Sequence, residues 1–155
     1  MSLAEFMRKV RRTERPGARP ERAARSAAIF VSHAREDGQA TRDLVARLER
    51  MGFKVAFDGQ IVCGDDFSRW IERQIDAADA VIVLWTDASI ASPWVRSEAQ
   101  RALAQRKLIP LTEPGFDRRK LPLPFSNLQT NASHDEIGIR AAVNRVLDAP
   151  PRPGT

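Results

Sequence analysis

A tryptophan and a glutamate four residues apart, Trp94 and Glu98, form the most chemically suggestive pair in this sequence. They lie in the segment Ser92 to Glu98 (SPWVRSE), which has the signals of a helix start, because serine is a favoured cap and proline a favoured first residue. Residues at i and i+4 lie one above the other on a helix face, so an aromatic ring would sit beside a carboxylate. Such a pair could stack a ring, hold ribose hydroxyls and stabilise positive charge at an anomeric carbon, as in glycoside cleavage.

The same pair also has a purely structural explanation. Glutamate in the first turns of a helix is favoured by the macrodipole, and tryptophan is often a partly buried residue at the edge of a core. The predicted core stripe of this helix (Val95, Ala99, and Ala102 or Leu103) leaves the tryptophan and the glutamate off it, toward a crevice. Spacing alone leaves both explanations open.

Strand-like and helix-like segments alternate from residue 27 onward. Short apolar runs predict strands, and apolar residues at every third or fourth position predict helices. Ser133 and Glu136 are spaced as a capping box for the last helix, and Pro110 indicates that the fourth strand is not fully paired on one side. Strands are expected at 28–32, 53–57, 79–85, 107–112 and 125–130, and helices at 37–51, from about 65, from 92–93 and after 133.

This alternation predicts an α/β fold, a mostly parallel sheet of about five strands with helices on both faces. We expect it to be a flavodoxin-like doubly wound sheet in the order 2-1-3-4-5, although the alternation alone does not fix that order. Ligands of such sheets bind at the carboxyl ends of the strands, where the strand order reverses. With the order 2-1-3-4-5, that point lies between the first and third strands. The crevice would be lined by residues 32–37, 58–66 and 86–98.

Several cofactor and catalytic signatures do not occur in the sequence. No glycine-rich dinucleotide or P-loop motif is present, and no G-x-S-x-G elbow. The pair of acids that a response-regulator receiver carries after its first strand is replaced by Ser32, His33 and Ala34. Cys63 and two distant histidines give no zinc spacing. We therefore expect no metal and no resident cofactor.

The excess charge of the chain is confined to its first residues. Residues 1–26 contain eight basic and three acidic residues, which accounts for the whole net charge of +5. The rest of the chain is therefore neutral. We expect 1–26 to form a basic arm with a short amphipathic helix, whose stripe is Leu3, Phe6, Met7 and Val10. The arm could contact an acidic partner or an anionic surface, or remain a solvated tail. The neutral core predicts no direct nucleic-acid contact.

The remaining composition predicts a soluble, cytoplasmic protein. The apolar run at 80–85 is far shorter than the roughly 20 residues of a membrane span, and residues 1–10 mix charged and apolar residues, unlike a signal peptide. One cysteine cannot form an internal disulfide framework. The 155 residues suit one domain, and 149–155, with three prolines, are expected to be a tail or a truncated linker.

Five segments, in order and at compatible spacing, resemble the Toll/interleukin-1 receptor (TIR) domain, particularly its bacterial type. Residues 29–33 (IFVSH) resemble the opening strand of the family, and 53–66 (FKVAFDGQIVCGDD) resemble its second strand with the BB loop. Residues 80–98 (AVIVLWTDASIASPWVRSE) resemble the third strand with the S-x-W-x-x-x-E box, and 107–111 (KLIPL) resemble the fourth strand. Residues 121–129 (LPLPFSNLQ) resemble a stretch found in bacterial members. The resemblance implies a TIR domain over 27–148, between the arm and the tail.

The resemblance implies one of two functions. Some members are non-catalytic modules that signal through TIR–TIR association; others cleave the nicotinamide–ribose bond of NAD+, releasing nicotinamide with ADP-ribose or a cyclic isomer. In the second class Glu98 would be catalytic and NAD+ a substrate rather than a cofactor. The implied substrate-binding residues are Trp94, Ser32, His33, Arg35, Phe30, Trp85, Asp58 and Gly64. The BB loop, 58–66, would mediate self-association, and a sensor domain or partner protein could control it.

Overall fold

One parallel sheet organises the molecule. The computed structural model describes residues 2–3, 27–57 and 65–149. The strand order within these residues is β2-β1-β3-β4-β5, and every neighbouring pair is parallel, which confirms the predicted doubly wound sheet. The strands are β1 Ala28–Ser32, β2 Lys54–Ala56, β3 Ala80–Trp85, β4 Leu108–Thr112 and β5 Asn131–Ala132.

Helices cover both faces of this sheet. Within the described residues the helices are α1 Gly38–Arg50, α2 Asp65–Ala77, α3 Asp87–Ile90, α4 Pro93–Ala104 and α5 Glu136–Asp148. Short 3-10 turns occupy Arg35–Asp37, Arg118–Lys120 and Phe125–Asn127. None of the described helices combines the length and apolar character that crossing a bilayer requires.

The core consists of two apolar layers, one on each face of the sheet. Successive strand residues point to opposite faces, and in a sheet covered on both sides both sets are apolar. Ile29 and Val31 of β1 therefore pack in the layer under α1 and α5, while Phe30 packs in the layer under α2 and α4. The neighbouring strand β3 alternates in the same way, with Ile82 in the first layer and Val83 in the second.

The sheet positions a crevice between β1 and β3. These strands pair directly, and Ser32, the last residue of β1, lies opposite Val83 of β3. The chain leaves β1 toward β2 on one side and continues from β3 toward β4 on the other. The segments that follow β1 and β3 therefore diverge, and they leave between them the space that we call the crevice.

The fifth strand and the cap of the last helix differ from the sequence predictions. The predicted strand at 125–130 is wrong: Phe125 begins a 3-10 turn and is buried, and β5 forms later along the chain. The predicted capping box is wrong as well, because Asp135 caps α5 by accepting a hydrogen bond from the Gly138 N–H at 2.9 Å. The Ser133 hydroxyl instead donates to Glu113 Oε1 at 2.9 Å.

Pro110 marks where the pairing of β4 stops on one side. It pairs with Val83 of β3, but the ladder to β5 begins only at Leu111. A proline cannot donate a backbone hydrogen bond, so it suits a strand position without a partner on one side. The predicted incomplete pairing of this strand is confirmed.

Three predicted segments lie outside the described residues. They are the basic arm beyond Ser2 and Leu3, residues 58–64 of the predicted BB loop, and the predicted tail from residue 150.

Candidate active site

Helix α4 brings Glu98 to the crevice. The helix begins as the sequence predicts, with the Ser92 side chain accepting a hydrogen bond from the Val95 N–H at 3.2 Å and Pro93 in the first turn. Glu98 is only 7% exposed and belongs to the buried side of the helix, together with Val95 and Ala99. The prediction that this glutamate lies off the buried stripe is therefore wrong. Trp94, 42% exposed, lies off the stripe as predicted.

The environment of the Glu98 carboxylate disfavours its charged form. Burial raises its pKa to about 7 from an ordinary 4.5, because a desolvated carboxylate loses the hydration that stabilises its charge. Polar interactions with the side chains of Ser32 and Trp94 act in the opposite direction and are the weaker influence. Among the described residues no Lys, Arg or His forms an ion pair with Glu98.

Ser32 places a buried hydroxyl beside this carboxylate. It is the last residue of β1 and only 1% exposed. Its Oγ makes no hydrogen bond of ordinary geometry with any other described residue, yet it favours the charged form of Glu98. A strand end and a helix that are distant in sequence thus bring together a buried carboxylate and a buried hydroxyl, and the hydroxyl oxygen has no hydrogen bond of ordinary geometry among the described residues. Such groups are typical of a site that receives a ligand.

The loop after β1 lies on one side of the crevice. The His33 ring contacts the Phe57 ring edge-on, with centroids 6.0 Å apart and the planes at 63°. His33 is partly exposed, and Arg35 is exposed in the 3-10 turn that follows. Phe57, which comes directly after β2, was not predicted as a site residue. Its position at a strand end was the available signal, although an apolar residue there also suits the core.

A hydrogen bond joins the segments that follow β1 and β3. Thr86 Oγ1 donates to Asp37 Oδ2 at 2.5 Å. Thr86 also caps α3, because its side chain accepts from the Ser89 N–H at 3.1 Å. Sequence reasoning missed this contact, since nothing in the local spacing pairs residues so far apart in the chain. Across the described residues no cluster of three metal-ligating side chains occurs.

Comparison with protein families decides the classification of the chain. The family model described as "TIR domain" matches residues 29–143, which is most of the chain. The chain belongs to the TIR-domain family. No curated protein matches the sequence.

Solved structures with the same fold include other TIR domains. A metazoan TIR-STING receptor from C. gigas, in complex with 2',3'-cGAMP, is 21% identical with a TM-score of 0.58, over 79% of this chain and 39% of that receptor. The TIR domain of the Toll-related receptor TRR-2 of Hydra magnipapillata is 22% identical with a TM-score of 0.57, over 77% and 93%. The TIR domains of the activated Roq1 resistosome, which directly recognises the pathogen effector XopQ, are 17% identical with a TM-score of 0.50, over 81% and 86%. This chain therefore spans 39% of the length of the TIR-STING receptor.

The remaining predicted site residues of this TIR domain fall into two groups. Phe30 and Trp85 are 1% and 0% exposed and lie in the core layer under α2 and α4, where Trp85 packs on Phe125 with ring centroids 5.0 Å apart. Both side chains expose almost no surface, and their contact with a substrate stays a prediction. Asp58 and Gly64 lie outside the described residues.

Proposed function

We propose that this TIR domain cleaves the nicotinamide–ribose bond of NAD+ and releases nicotinamide with ADP-ribose or a cyclic isomer. The observation that carries the proposal is the burial of Glu98 at the crevice without a cationic partner among the described residues. Burying such a carboxylate lowers stability, and residues of this kind concentrate at functional sites. Its place beside the carboxyl end of β1 is where ligands of doubly wound sheets bind.

The reaction needs little more than an anion beside the ribose. The nicotinamide ring of NAD+ is positively charged at its nitrogen. When the bond from this nitrogen to ribose C1′ breaks, both bonding electrons stay with nicotinamide, which leaves neutral and needs no general acid. The ribose becomes an oxocarbenium ion, which the Glu98 carboxylate would stabilise. Water then adds to C1′ and loses a proton, which balances the hydrolysis; attack by a group of the same nucleotide instead gives a cyclic isomer.

Neighbouring side chains suit the two halves of the substrate. The partly exposed Trp94 lies four residues before Glu98 on α4 and offers a ring face for stacking next to the carboxylate. Ser32 supplies a hydroxyl from the carboxyl end of β1, beside the carboxylate. The partly exposed imidazole of His33 and the exposed guanidinium of Arg35 are suited to an adenine ring and a phosphate, respectively.

Nicotinamide release from NAD+ tests the proposal directly. We expect Glu98→Gln to lower turnover by about a hundredfold or more, because the amide removes the charge but keeps the shape. Glu49→Gln is the matched control, since Glu49 is an exposed glutamate on α1. It should keep full activity, and circular dichroism should show that both variants are folded. Equal turnover in wild type and Glu98→Gln would overturn the proposal.

Assembly is proposed as the condition for activity, since the similar Roq1 structure is described as a resistosome. Self-association through 58–66 would make turnover per molecule rise with protein concentration, and constant specific activity would contradict it. The alternative is a non-catalytic TIR–TIR module, which would show no turnover at any concentration and bind its partners equally well as Glu98→Gln. Bacterial type, cytoplasmic location and control by a sensor domain or partner protein stay predictions.

A further inference from the structure

The hydrogen bond between Asp37 and Thr86 connects the two sides of the crevice. Asp37 ends the 3-10 turn that carries Arg35, and Thr86 is the first residue after β3. The Thr86 hydroxyl donates to the Asp37 carboxylate at 2.5 Å. Among the described residues the ladder between β1 and β3 ends at the opposed residues Ser32 and Val83, so this bond holds the segments where they diverge.

The Asp37 side chain bonds to Thr86 and does not cap helix α1. Asp37 occupies the position before α1, where an aspartate usually accepts a hydrogen bond from an N–H of its own helix. Here its side chain makes no such bond. The local backbone is anchored instead by Thr41, whose hydroxyl donates to the Asp37 carbonyl at 2.8 Å. The carboxylate is therefore committed to the opposite side of the crevice rather than to the stability of α1.

The Thr86 side chain is held in the orientation that this bond requires. Its Oγ1 accepts from the Ser89 N–H at 3.1 Å, while the Thr86 N–H donates to Ser89 Oγ at 2.8 Å. Because the hydroxyl already accepts from a backbone N–H, its single hydrogen can point to Asp37. Ser89 itself is fully buried, so this reciprocal cap is fixed in the fold.

The bond lies between the parts of the molecule that would hold the two halves of a dinucleotide. On the Asp37 side, the preceding residues are His33 and Arg35. On the Thr86 side, the chain passes through α3 and the Ser92 cap into α4, which carries Glu98. A substrate that spans both sides binds through both of its halves at once only when their separation is right, so a changed separation weakens its binding.

We propose that Asp37 and Thr86 are positioning residues, whose hydrogen bond sets the separation between the His33–Arg35 loop and the helix of Glu98. This inference rests on the proposed NAD+ cleavage. Neither residue needs to touch the reacting atoms. Their effect is on the binding of the adenine and phosphate half, which contributes in full only when both halves are held in register.

A double-mutant cycle tests the pair. We expect Asp37→Ala and Thr86→Val each to raise the KM for NAD+ by between about tenfold and a hundredfold, with a smaller change in kcat. The double variant should be no worse than the poorer single variant, because both remove the same bond. Thr86→Ser keeps the donor and Asp37→Asn keeps an acceptor, so the KM of these variants should stay close to the wild-type value.

Asp135→Ala is the matched control, because it removes the capping aspartate of α5, whose bond to Gly138 does not involve the crevice. It should lower the Tm without changing the KM. The positioning role would be overturned if the KM rose in proportion to the loss of Tm across all variants. It would also be overturned if the effects of Asp37→Ala and Thr86→Val on the KM were additive in the double variant. Failure of the proposed function is recognised separately: wild type would neither bind NAD+ in calorimetry nor release nicotinamide, and this inference would fall with it. Turnover that depends on Glu98, together with normal KM values in the Asp37 and Thr86 variants, would overturn this inference alone.

Discussion

Charged side chains differ between the amino-terminal half of helix α4, which carries Glu98, and its carboxyl end, which carries Arg101. We call these two regions the two ends of α4. At its carboxyl end, Arg101 donates two hydrogen bonds to Asp76 of α2, at 2.9 and 2.8 Å, and Gln105 donates a third at 2.6 Å. The pKa of Asp76 is lowered, chiefly by the bond from Arg101. Nearer the amino end, Glu98 is more deeply buried, no described cation pairs with it, and its pKa is raised.

The buried cation just beyond the carboxyl end of α4, Lys107, has hydrogen-bond partners. Lys107 is 9% exposed, and desolvation lowers its pKa. Its Nζ donates to the carbonyl oxygens of Asp76 at 3.1 Å and Ala78 at 2.9 Å, at the end of α2, where the helix dipole favours positive charge. Stability alone therefore explains the polar groups here, whereas it does not explain Glu98. That contrast is the physical reason for assigning function to one end of the helix and structure to the other.

The largest expected effect on stability comes from removing the charge of Glu98. Its pKa is raised in the folded protein, so the folded state holds the proton that the unfolded chain loses above pH 4.5. Stability from this group is thus fully present below pH 4.5, falls as the pH rises toward 7, and stays lost above it. We expect Glu98→Gln to unfold with a free energy about 3 kcal/mol higher than wild type at pH 8.

Urea unfolding at pH 4 and pH 8 measures this difference. At pH 4 the two proteins should be nearly equally stable, because protonated glutamate and glutamine are both neutral and similar in shape. Glu49→Gln should match wild type at both pH values, since its carboxylate is exposed. A Glu98→Gln variant that is less stable at pH 8 would mean that the carboxylate has a partner in the folded protein, and the contrast between the two ends of α4 would disappear.

Particular residues show how far the sequence could predict this molecule. Most of the strands and helices, and the parallel sheet they form, could be predicted from the alternation of apolar runs, because each run and each helix stripe is local. The burial of Glu98 could not, since it depends on Ser32 and β1 approaching α4 in space. The fifth strand was misplaced because Phe125 is apolar in order to fill the core beside Trp85, not to form a strand. The bond between Asp37 and Thr86 depends on two distant strand ends becoming neighbours.

Lys107→Met tests the carboxyl end of α4, with an intermediate expected effect. The substitution keeps much of the buried side-chain volume but leaves the carbonyls of Asp76 and Ala78 without their donor, which we expect to lower the free energy of unfolding by about 2 kcal/mol. Turnover of NAD+ in the folded variant should be unchanged, because Lys107 lies at the other end of the helix. Loss of activity without loss of stability would show that the two ends are not separable.

The smallest effect is expected from Trp94→Phe, which keeps an aromatic ring but removes the indole N–H. If the carboxylate form of Glu98 is the active one, kcat/KM for NAD+ rises with pH through about 7, the pKa of this group in the free protein. Interaction with Trp94 lowers that pKa, so the variant should move the rising limb to higher pH while changing the plateau little. Trp94→Ala, which also removes the ring, should in addition raise the KM. An unmoved limb in both variants would show that Trp94 does not act on the carboxylate, and would leave burial and Ser32 to set the pKa of Glu98.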